Sequence, residues 1–437
     1  MNLEKDKETT LYRKYLMPTV FGMVFNAIYI LTDTLMIGKG IGEEALVALN
    51  LLLPIFSVYF GVGYLFGIGG SVLLSVAKGN KDEAEQKRIF TTTVFIAILV
   101  GIVGSIVPFV LQEQIYDLMG VTQEIMSYAR DYGSIFFACG GILVLQPVIL
   151  AFVRNDEAPK RAMAGTVTGC SLNVVLDYIF IYKLNLGMRG AIAATIIGNT
   201  VNLCIGLSHL FSKRNHLHFS WNTLRMSRIW KIMKNGAAPC FNEVAWGIVV
   251  FLFNQQIIKY YEGGDYALII YSIITNTLIV TNSFLNGAGD AMQPLVSYNY
   301  GAGNRERIWR FFRIGFFTIA GMTAFMYGII FAGTNQLIHL FVQPSEMVVK
   351  EGTPAIRIYF ASMFFAMVNI YGSIFFQAVV RPKYAMIVSL LRGLVLSALF
   401  VMVMPAILGK GSIWWIMLMV ETCTMVVTLF FFRKLKL

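Results

Sequence analysis

Charged residues are scarce in this sequence. They make up 14% of the 437 residues, whereas hydrophobic residues make up 57%. A soluble globular protein carries about 25% charged residues, so this chain cannot cover a water-facing surface of the usual kind. A lipid-facing surface needs no charge, because the bilayer is the solvent there. The composition therefore excludes an ordinary soluble domain and indicates a protein embedded in a membrane.

Residues that bind metals or form disulfides are also few. The five cysteines lie in apolar segments without paired spacing, which argues against a disulfide framework. Of the four histidines, His216 and His218 form a close pair, but no cysteine or carboxylate lies beside them in the sequence. No nucleophile–histidine motif and no phosphate-binding glycine loop followed by lysine is present. We therefore expect a protein that is not an enzyme and that has no cofactor.

Long apolar segments alternate with short charged ones along the whole chain. Ile89–Leu111, Ala162–Tyr182 and Ile413–Phe432 are each close to the length of about 20 residues that a helix needs to cross the hydrocarbon core. Lipid offers no partners to unpaired backbone groups, so such segments must be helical. The pattern predicts an all-α polytopic membrane protein with 12 transmembrane helices, near residues 12–38, 46–77, 89–111, 127–153, 162–182, 188–211, 235–258, 266–299, 308–332, 355–380, 384–408 and 412–432.

The basic residues are divided unevenly between the two ends of these helices. If the N-terminus lies inside, 26 of the 35 Lys and Arg fall in inner segments, eight in outer segments, and Arg392 inside a helix. Cytoplasmic loops carry an excess of Lys and Arg, so we predict that both termini are cytoplasmic. The basic charge is scattered over seven short segments, which argues against a nucleic-acid partner.

The chain contains two related halves. Matching motifs recur in the same order, namely Pro18 with Pro239, Gly79-Asn80-Lys81 with Gly303-Asn304-Arg305, and Lys160-Arg-Ala-Met163 with Lys383-Tyr-Ala-Met386. A unit of six helices begins and ends on the same side of the membrane, so the halves form a parallel repeat. We therefore predict an N-terminal lobe of residues 1–211, a cytoplasmic linker of residues 212–234 and a C-terminal lobe of residues 235–437.

Four polar residues inside predicted helices form a candidate ion site. Asp33 lies in helix one, Asn173 and Asp177 share a face of helix five, and Thr195 lies in helix six. Such residues are costly in a membrane and mark functional sites. Their oxygens can surround a cation such as Na⁺, or the carboxyl groups can bind protons, because a low-dielectric cavity favours the neutral form. Alternatively, the two aspartates lie near helix ends and only reach the interface or cap the helices.

Further polar residues are candidates for lining a substrate cavity. Asn26 and Tyr29 share the Asp33 face of helix one, and Asn199 lies one turn after Thr195. Residues 243 and 254 are eleven residues, or about three turns, apart on helix seven, so they point the same way. The candidates are Asn26, Tyr29, Asn199, Glu243, Asn254 and Gln293. Asn254 follows Pro239 by the same distance as Asp33 follows Pro18, so the first half keeps the acid and is the better place for the ion site.

Four other residues inside predicted helices stand out. Pro18 lies about four turns before Asp33 and removes a backbone hydrogen bond, so it is a candidate hinge. It can equally mark only the entry of the helix. Arg392 and Glu421 can form an ion pair between helices eleven and twelve, and Asp290 in helix eight has no role that the sequence suggests.

Several of these motifs resemble one known family. The segment from Met17 to Asp33, with the sequence MPTVFGMVFNAIYILTD, resembles the first helix of MATE (multidrug and toxic compound extrusion) transporters. Asn173-Val-Val-Leu-Asp177 and Gly190-Ala-Ile-Ala-Ala-Thr195 resemble the same family. Gln293-Pro-Leu-Val-Ser-Tyr-Asn-Tyr-Gly-Ala-Gly-Asn304 is similar to its MepA-like branch. The resemblance covers nearly the whole chain, and the order of the motifs is specific.

The resemblance implies a fold and a function. MATE proteins are V-shaped, with two six-helix lobes, and they export cationic organic compounds in exchange for H⁺ or Na⁺. It therefore implies a secondary antiporter that exports cationic or amphiphilic compounds by alternating access, and thus multidrug efflux and antibiotic resistance. The residues that match the N-lobe ion site of some members are Asp33, Asn173, Asp177 and Thr195. The amide that such members use on helix four is absent here, because residues 146–154 contain no Asn.

The expected setting is the bacterial plasma (inner) membrane, with the protein as a monomer and small organic cations and membrane lipid as partners. A lipid or lipid-linked sugar flippase of related two-lobed architecture is the alternative. A flippase for pyrophosphate-linked substrates requires a cavity with many cationic residues, and Arg392 is the one basic residue placed deep in a helix. A non-transporting membrane scaffold is a third interpretation, and it requires the absence of ion-driven flux.

Overall fold

The computed structural model describes residues 3–213, 215–261 and 265–436. Eleven helices in these ranges are long and apolar enough to cross a membrane, and a bent pair of helices forms a twelfth span. The predicted all-α architecture is confirmed. The spans are α1 (Glu8–Gly40), α2 (Glu43–Gly79), α3 (Glu83–Val110), α4 (Met126–Ala138 and Gly140–Asn155), α5 (Pro159–Asp177), α6 (Gly187–Leu207), α7 (Ile229–Tyr260), α8 (Asp265–Gly301), α9 (Arg305–Ala332), α10 (Glu346–Ala361 and Met363–Ala378), α11 (Pro382–Leu408) and α12 (Ile416–Lys434).

Irregularities recur at matching places in the two halves. The spans α4 and α10 are both interrupted, after Ala138 and after Ala361, and the two parts of α4 meet at 51°. Short helices, Gln112–Leu118 and Thr334–Phe341, follow α3 and α9. A π-helical turn, Tyr178–Lys183, extends α5 directly after Asp177. The matching interruptions and the matching short helices support the internal repeat that the sequence motifs predict.

Each half has its own apolar core, but α1 contributes to both. The outer part of α1 packs on α5, whereas Leu11, Tyr12 and Tyr15 near its start belong to the core of the second half. The Tyr12 hydroxyl donates a hydrogen bond to the Ala288 carbonyl oxygen on α8 at 3.1 Å. Residues 1–211 are therefore not a self-contained lobe, because the apolar first turns of α1 are buried against α8.

Both ends of the chain lie at one end of the helix bundle, which we call the terminal face. Lys81, after α2, pairs with Glu4 at 3.3 Å, and Arg307, at the start of α9, pairs with Glu8 at 3.5 Å. Near the other end of the chain, Arg381 donates to the Lys436 carbonyl oxygen at 3.1 Å. The segments that the charge pattern groups together thus meet at one face.

Glycines join the two halves near the terminal face. A Cβ added to Gly236 of α7 would overlap the carbonyl oxygen of Leu65 on α2, and one added to Gly69 would overlap that of Ile232. A Cβ on Gly301 of α8 would likewise overlap the carbonyl oxygen of Val76. Small residues allow membrane helices to approach backbone to backbone. The two lobes are therefore in direct backbone contact in the half of the bundle that ends at the terminal face.

The linker between the lobes is shorter than the sequence predicts. The helix α7 begins at Ile229, six residues before the predicted start at 235, because the amphiphilic stretch with Lys231 and Lys234 continues the helix beyond the apolar segment. The linker lies on the first lobe. Ser220 and Arg225 donate backbone hydrogen bonds to the hydroxyl groups of Thr91 and Thr92 on α3, each at 3.1 Å.

The predicted ion pair between Arg392 and Glu421 is confirmed. Arg392 of α11 donates to the Glu421 carboxylate of α12 at 2.8 Å, and Asn369 of α10 donates to the same group at 2.8 Å. The Asn369 oxygen in turn accepts a bond from Thr428 at 2.8 Å. Glu421 is 1% exposed, and both of its carboxylate oxygens accept hydrogen bonds. The network therefore connects three helices of the second lobe, and it leaves no unpaired carboxylate oxygen to bind a transported ion.

We predict that Glu421→Ala destabilises the protein by about 3–5 kcal/mol, because Arg392 then remains as a buried charge without a partner. Thermal unfolding of purified protein in a neutral detergent measures the change. The double variant Glu421→Gln with Arg392→Gln removes both charges, and we expect it to recover most of the loss. A Glu421→Ala protein that unfolds at the wild-type temperature would contradict the structural role.

Candidate functional site

Close packing of α5 and α6 creates the site in the first lobe. A Cβ on Gly198 of α6 would lie 2.7 Å from the carbonyl oxygen of Gly169 on α5 and 3.1 Å from the Cβ of Asn173. Only glycine at both positions permits this approach. Because the helices touch here, Asn173, one turn after Gly169, and Thr195, one turn before Gly198, are brought to the same level.

The four predicted ion-site residues lie together at this level. Asn173 donates a hydrogen bond to the Thr195 hydroxyl at 3.3 Å, which connects α5 with α6. Asp33 on α1 faces Asp177 on α5, and the two carboxyl groups interact electrostatically. All four residues are buried, with Asp177 0% and Asp33 9% exposed. The structure thus brings together three helices that are remote in sequence.

Oxygen atoms in this cluster lack hydrogen-bond partners among the described residues. They are one carboxyl oxygen of Asp33, both of Asp177 and the amide oxygen of Asn173. A buried carboxylate without donors is strongly unfavourable, so these oxygens require a proton or a cation. Carboxylate, amide and hydroxyl oxygens are also the ligands that hard cations prefer. The donor set therefore fits either coupling ion that the sequence predicts.

The alternative that the two aspartates only cap or leave the membrane does not agree with the structure. Asp177 ends the regular part of α5, but its side chain makes no capping hydrogen bond. Asp33 lies two turns inside the end of α1 and is almost completely covered. Both carboxyl groups therefore point into the lobe and do not reach the surface.

Three predicted cavity residues surround the cluster. The Tyr29 hydroxyl lies beside Thr195 and within electrostatic range of both carboxyl groups. The exposed Asn26 accepts a weak hydrogen bond from the Cys170 thiol at 3.9 Å, one turn before Asn173. Asn199 uses its amide nitrogen within α6, where it donates to the Thr195 carbonyl oxygen at 2.9 Å. Asn26 and Tyr29 thus lie next to the four predicted ion-site residues.

The remaining predicted cavity residues belong to the second lobe. Asn254 lines a cavity of about 380 Å³ between α7 and α8, together with Tyr271, Ser272 and Thr275. Glu243 lies further toward the terminal face, within electrostatic range of Tyr64 on α2. Gln293 is fully buried, and neither of its amide atoms has a partner in the part of the chain that the structure describes. The second-lobe residues do not join the Asp33 cluster.

An ion pair between the lobes explains Asp290. Arg154, at the end of α4, donates to the Asp290 carboxylate on α8 at 2.8 Å, and both side chains are largely buried. The sequence shows an acid inside α8 and a basic residue after α4, but nothing in it connects the two. Only the approach of the lobes at the terminal face makes them partners.

Pro18 lies where α1 passes from one lobe to the other. Tyr12 and Tyr15 pack in the second-lobe core before it, and Gly22 packs against Met163 of α5 after it. The proline also lies inside the helix and not at its entry, because α1 begins at Glu8. The interpretation that Pro18 only marks the helix entry is therefore wrong.

A carboxylate that is remote in the sequence lies beside one histidine of the pair His216 and His218. The fold brings Asp156 to His216, whose ring nitrogen lies 3.0 Å from the carboxylate, and to His209 at 2.9 Å. His218 does not join this group. Within the described residues, no three His, Cys, Asp or Glu side chains are arranged to hold a metal ion.

Comparisons with known proteins agree with this architecture. The sequence profile of the MatE family matches residues 18–179 and 239–403, which is well over half of the chain. The multidrug export protein MepA of Staphylococcus saprophyticus is 25% identical over 407 residues, which cover 93% of this chain and 89% of that protein. MepA of Staphylococcus aureus is 22% identical over 409 residues, with coverage of 93% and 89%.

Solved structures show the same fold. The structure described as the outward-facing conformation of a multidrug resistance MATE family transporter of the MOP superfamily superimposes with a TM-score of 0.92. The two chains are 21% identical, and the match covers 99% of this chain and 96% of the other. The two six-helix lobes thus form the V-shaped MATE fold. This chain belongs to the MatE family of membrane transporters and is not an enzyme.

Proposed function

We propose that this protein is a secondary antiporter that exports cationic or amphiphilic organic compounds across the bacterial plasma membrane in exchange for H⁺ or Na⁺. The observation that carries the proposal is the buried Asp33–Asp177 cluster, whose oxygens lack partners in the described chain. Membrane-buried ionisable residues mark ion pathways by default. The matching relatives are named as multidrug export proteins, which supports organic compounds as the substrates.

The charge distribution supports a cytoplasmic terminal face. The inner segments of the sequence carry 26 of the 35 Lys and Arg, and the ion pairs of Lys81 and Arg307 place such segments at this face. In this orientation the lobes are in contact at the cytoplasmic end. The likeness to a structure described as outward-facing supports the same state for this chain.

Ion binding then controls the position of α1. A proton or Na⁺ from outside neutralises the mutual repulsion of Asp33 and Asp177 and draws α1 toward α5. Pro18 removes one hydrogen bond of α1 between its two packing sites, so the outer half can move while Tyr12 and Tyr15 remain fixed. The ion therefore changes the width of the cavity that Asn26 and Tyr29 line.

The second lobe offers candidate contacts for the substrate. The cavity at Asn254 has hydroxyl and amide groups beside the Tyr271 ring. Glu243 supplies a carboxyl group further toward the terminal face. Aromatic faces and carboxylates both attract organic cations. Ion and substrate are exchanged if each binds preferentially to a different conformation, since a ligand shifts an equilibrium only by its differential affinity.

The contacts of the embedded arginines favour this proposal over a flippase for pyrophosphate-linked lipids. Arg392 is bound by Glu421, and Arg154 is bound by Asp290. Neither cation is available to a pyrophosphate group in this conformation.

We predict that Asp33→Asn and Asp177→Asn each abolish ion-driven export, because a single carboxyl group cannot couple charge binding to movement of α1. The measurement uses purified protein in lipid vesicles that contain a fluorescent organic cation. A proton gradient and then a sodium gradient are imposed across the membrane. Flux that depends on one of the gradients identifies the coupling ion.

The matched control is Asp117→Asn, which makes the same chemical change on an exposed residue of the short helix after α3. We expect normal flux from this control, and unfolding temperatures close to wild type in all three variants. Undiminished gradient-driven flux in Asp33→Asn would exclude the first-lobe mechanism. If neither gradient drives flux in folded wild-type protein, the antiporter proposal fails.

We predict that Asp290→Asn opens the lobes at the terminal face. Loss of one partner leaves Arg154 buried without a counter-charge, which costs about 3 kcal/mol or more in the closed state. That cost shifts the ratio of closed to open molecules by about a hundredfold. Spin labels at Ala84 and Ala302, both exposed on opposite lobes, report the change as a longer distance between the labels.

The charge-exchange variant Arg154→Asp with Asp290→Arg restores an ion pair with reversed direction. We expect it to recover part of the short-distance population, whereas Asp117→Asn should leave the distance unchanged. An unaltered distance distribution in Asp290→Asn would show that glycine packing alone keeps this end closed.

A further inference from the structure

A second cavity opens at the terminal face of the first lobe, remote from the Asp33 cluster. Its volume is about 760 Å³, and it lies where the start of α5 meets α1, the end of α6 and the linker. Most of the side chains that line it are basic, and they include Lys14, Lys160, Arg161, His209, Lys213 and His216. The transport proposal gives this cavity no role.

Several of these cations lack a carboxylate partner. Lys14, Lys160 and Lys213 are exposed and form no ion pair with any described residue, and Arg161 donates only to the Ser208 carbonyl oxygen, at 3.0 Å. Glu157 also lines the cavity, and it pairs with Lys78 at 2.8 Å. Cations from three segments, namely α1, the start of α5 and the linker, therefore converge on one cavity with an excess of positive charge.

The acid next to the cavity, Asp156, already has three partners. Asp156 is 1% exposed and binds His209, His216 and Lys78 at 2.9 to 3.2 Å. Burial alone would raise the pKa of the Asp156 carboxyl group. The hydrogen bond from His209 and the charge of Lys78 outweigh this effect and hold the pKa below its usual value. Asp156 thus holds His209 and His216 in the cavity wall, and it does not pair with Lys14, Lys160 or Lys213.

The start of α5 adds to the positive field. No side chain caps this helix end, and its first turn carries Lys160 and Arg161 but no acidic residue. Cations at a helix N-terminus are unfavourable, because the helix dipole is positive there. An anion in the cavity would relieve this repulsion and accept hydrogen bonds from the lysines.

Exposed apolar side chains adjoin the lining residues along the chain. Phe211, between the lining residues His209 and Ser212, is 91% exposed, and Met17, one turn after Lys14, is 60% exposed. Exposed aromatic residues are typical of the boundary between headgroups and acyl chains. The cavity thus combines a cationic interior with an apolar rim.

We propose that this cavity binds the phosphate group of an anionic ligand, and the apolar rim favours a phospholipid headgroup. Basic pockets between transmembrane helices on the cytoplasmic side are suited to such headgroups. Lys14, Lys160 and Lys213 contact the phosphate, and Phe211 and Met17 contact the acyl chains. The site links α1 with α5 and the linker at the terminal face.

The test uses full-length protein in neutral detergent with three probes, namely dioleoylphosphatidylglycerol, dioleoylphosphatidylcholine and inorganic pyrophosphate. The readouts are the unfolding temperature as a function of probe concentration and the lipid retained, counted by native mass spectrometry. The variant is Lys14→Gln, Lys160→Gln and Lys213→Gln together. Its control, Lys231→Gln, Lys383→Gln and Lys436→Gln, removes the same charge from exposed lysines elsewhere on the terminal face.

We expect phosphatidylglycerol to stabilise the wild type and the control at similar concentrations, and the variant only at concentrations higher by about tenfold or more, since each basic residue adds to the attraction. Phosphatidylcholine should have a much weaker effect. Stabilisation by pyrophosphate alone, lost in the variant, would support the site with a soluble anion as its source. Equal responses of variant and control, or no response of the wild type to either anion, would overturn the proposal. If the triple variant does not fold, Lys160→Gln alone replaces it, with Lys383→Gln as its control.

Discussion

Asp33 and Asp177 place two carboxyl groups against each other inside a membrane protein. Both oxygens of Asp177 lack a partner among the described residues, and a buried carboxylate without donors is strongly unfavourable. Two features of the fold bring the carboxyl groups together. Gly169 and Gly198 bring α5 and α6 into contact, and α1 carries the second acid to them from a base in the other lobe.

Other buried acids, unlike Asp177, have hydrogen-bond partners. Glu421 accepts bonds from Arg392 and Asn369, and Asp156 binds two histidines and a lysine, so these acids have partners that fix them in place. A buried charge with partners stabilises the one conformation in which those partners meet. A buried carboxyl group without partners can instead stabilise different conformations with and without a bound ion. The Arg154–Asp290 pair differs from both cases, because its partners belong to different lobes.

Much of the fold can be predicted from the sequence, because the bilayer limits the possible structures. The length of each apolar segment predicts a span, and the repeat of Pro18 and Gly79 as Pro239 and Gly303 predicts two similar halves. The predicted spans agree with the helices to within a few residues in most cases. The starts of α3, α7 and α10 are predicted six, six and nine residues late, since the first turns of these helices carry charged residues and are not apolar. The sharing of α1 between lobes was missed, because its apolar turns give no indication of their partner.

Asp33, Asn173, Asp177 and Thr195 can be recognised from the sequence alone as candidates for one site, because each polar residue stands out against an apolar background and is costly in a membrane. Which of the polar residues have partners depends on the tertiary structure. It joined Asp290 to Arg154 and Asp156 to His216, left the Asp177 oxygens without partners among the described residues and gathered lysines of α1, α5 and the linker around one cavity. Pairing depends on distances between helices, and those are set by packing contacts that no single segment contains.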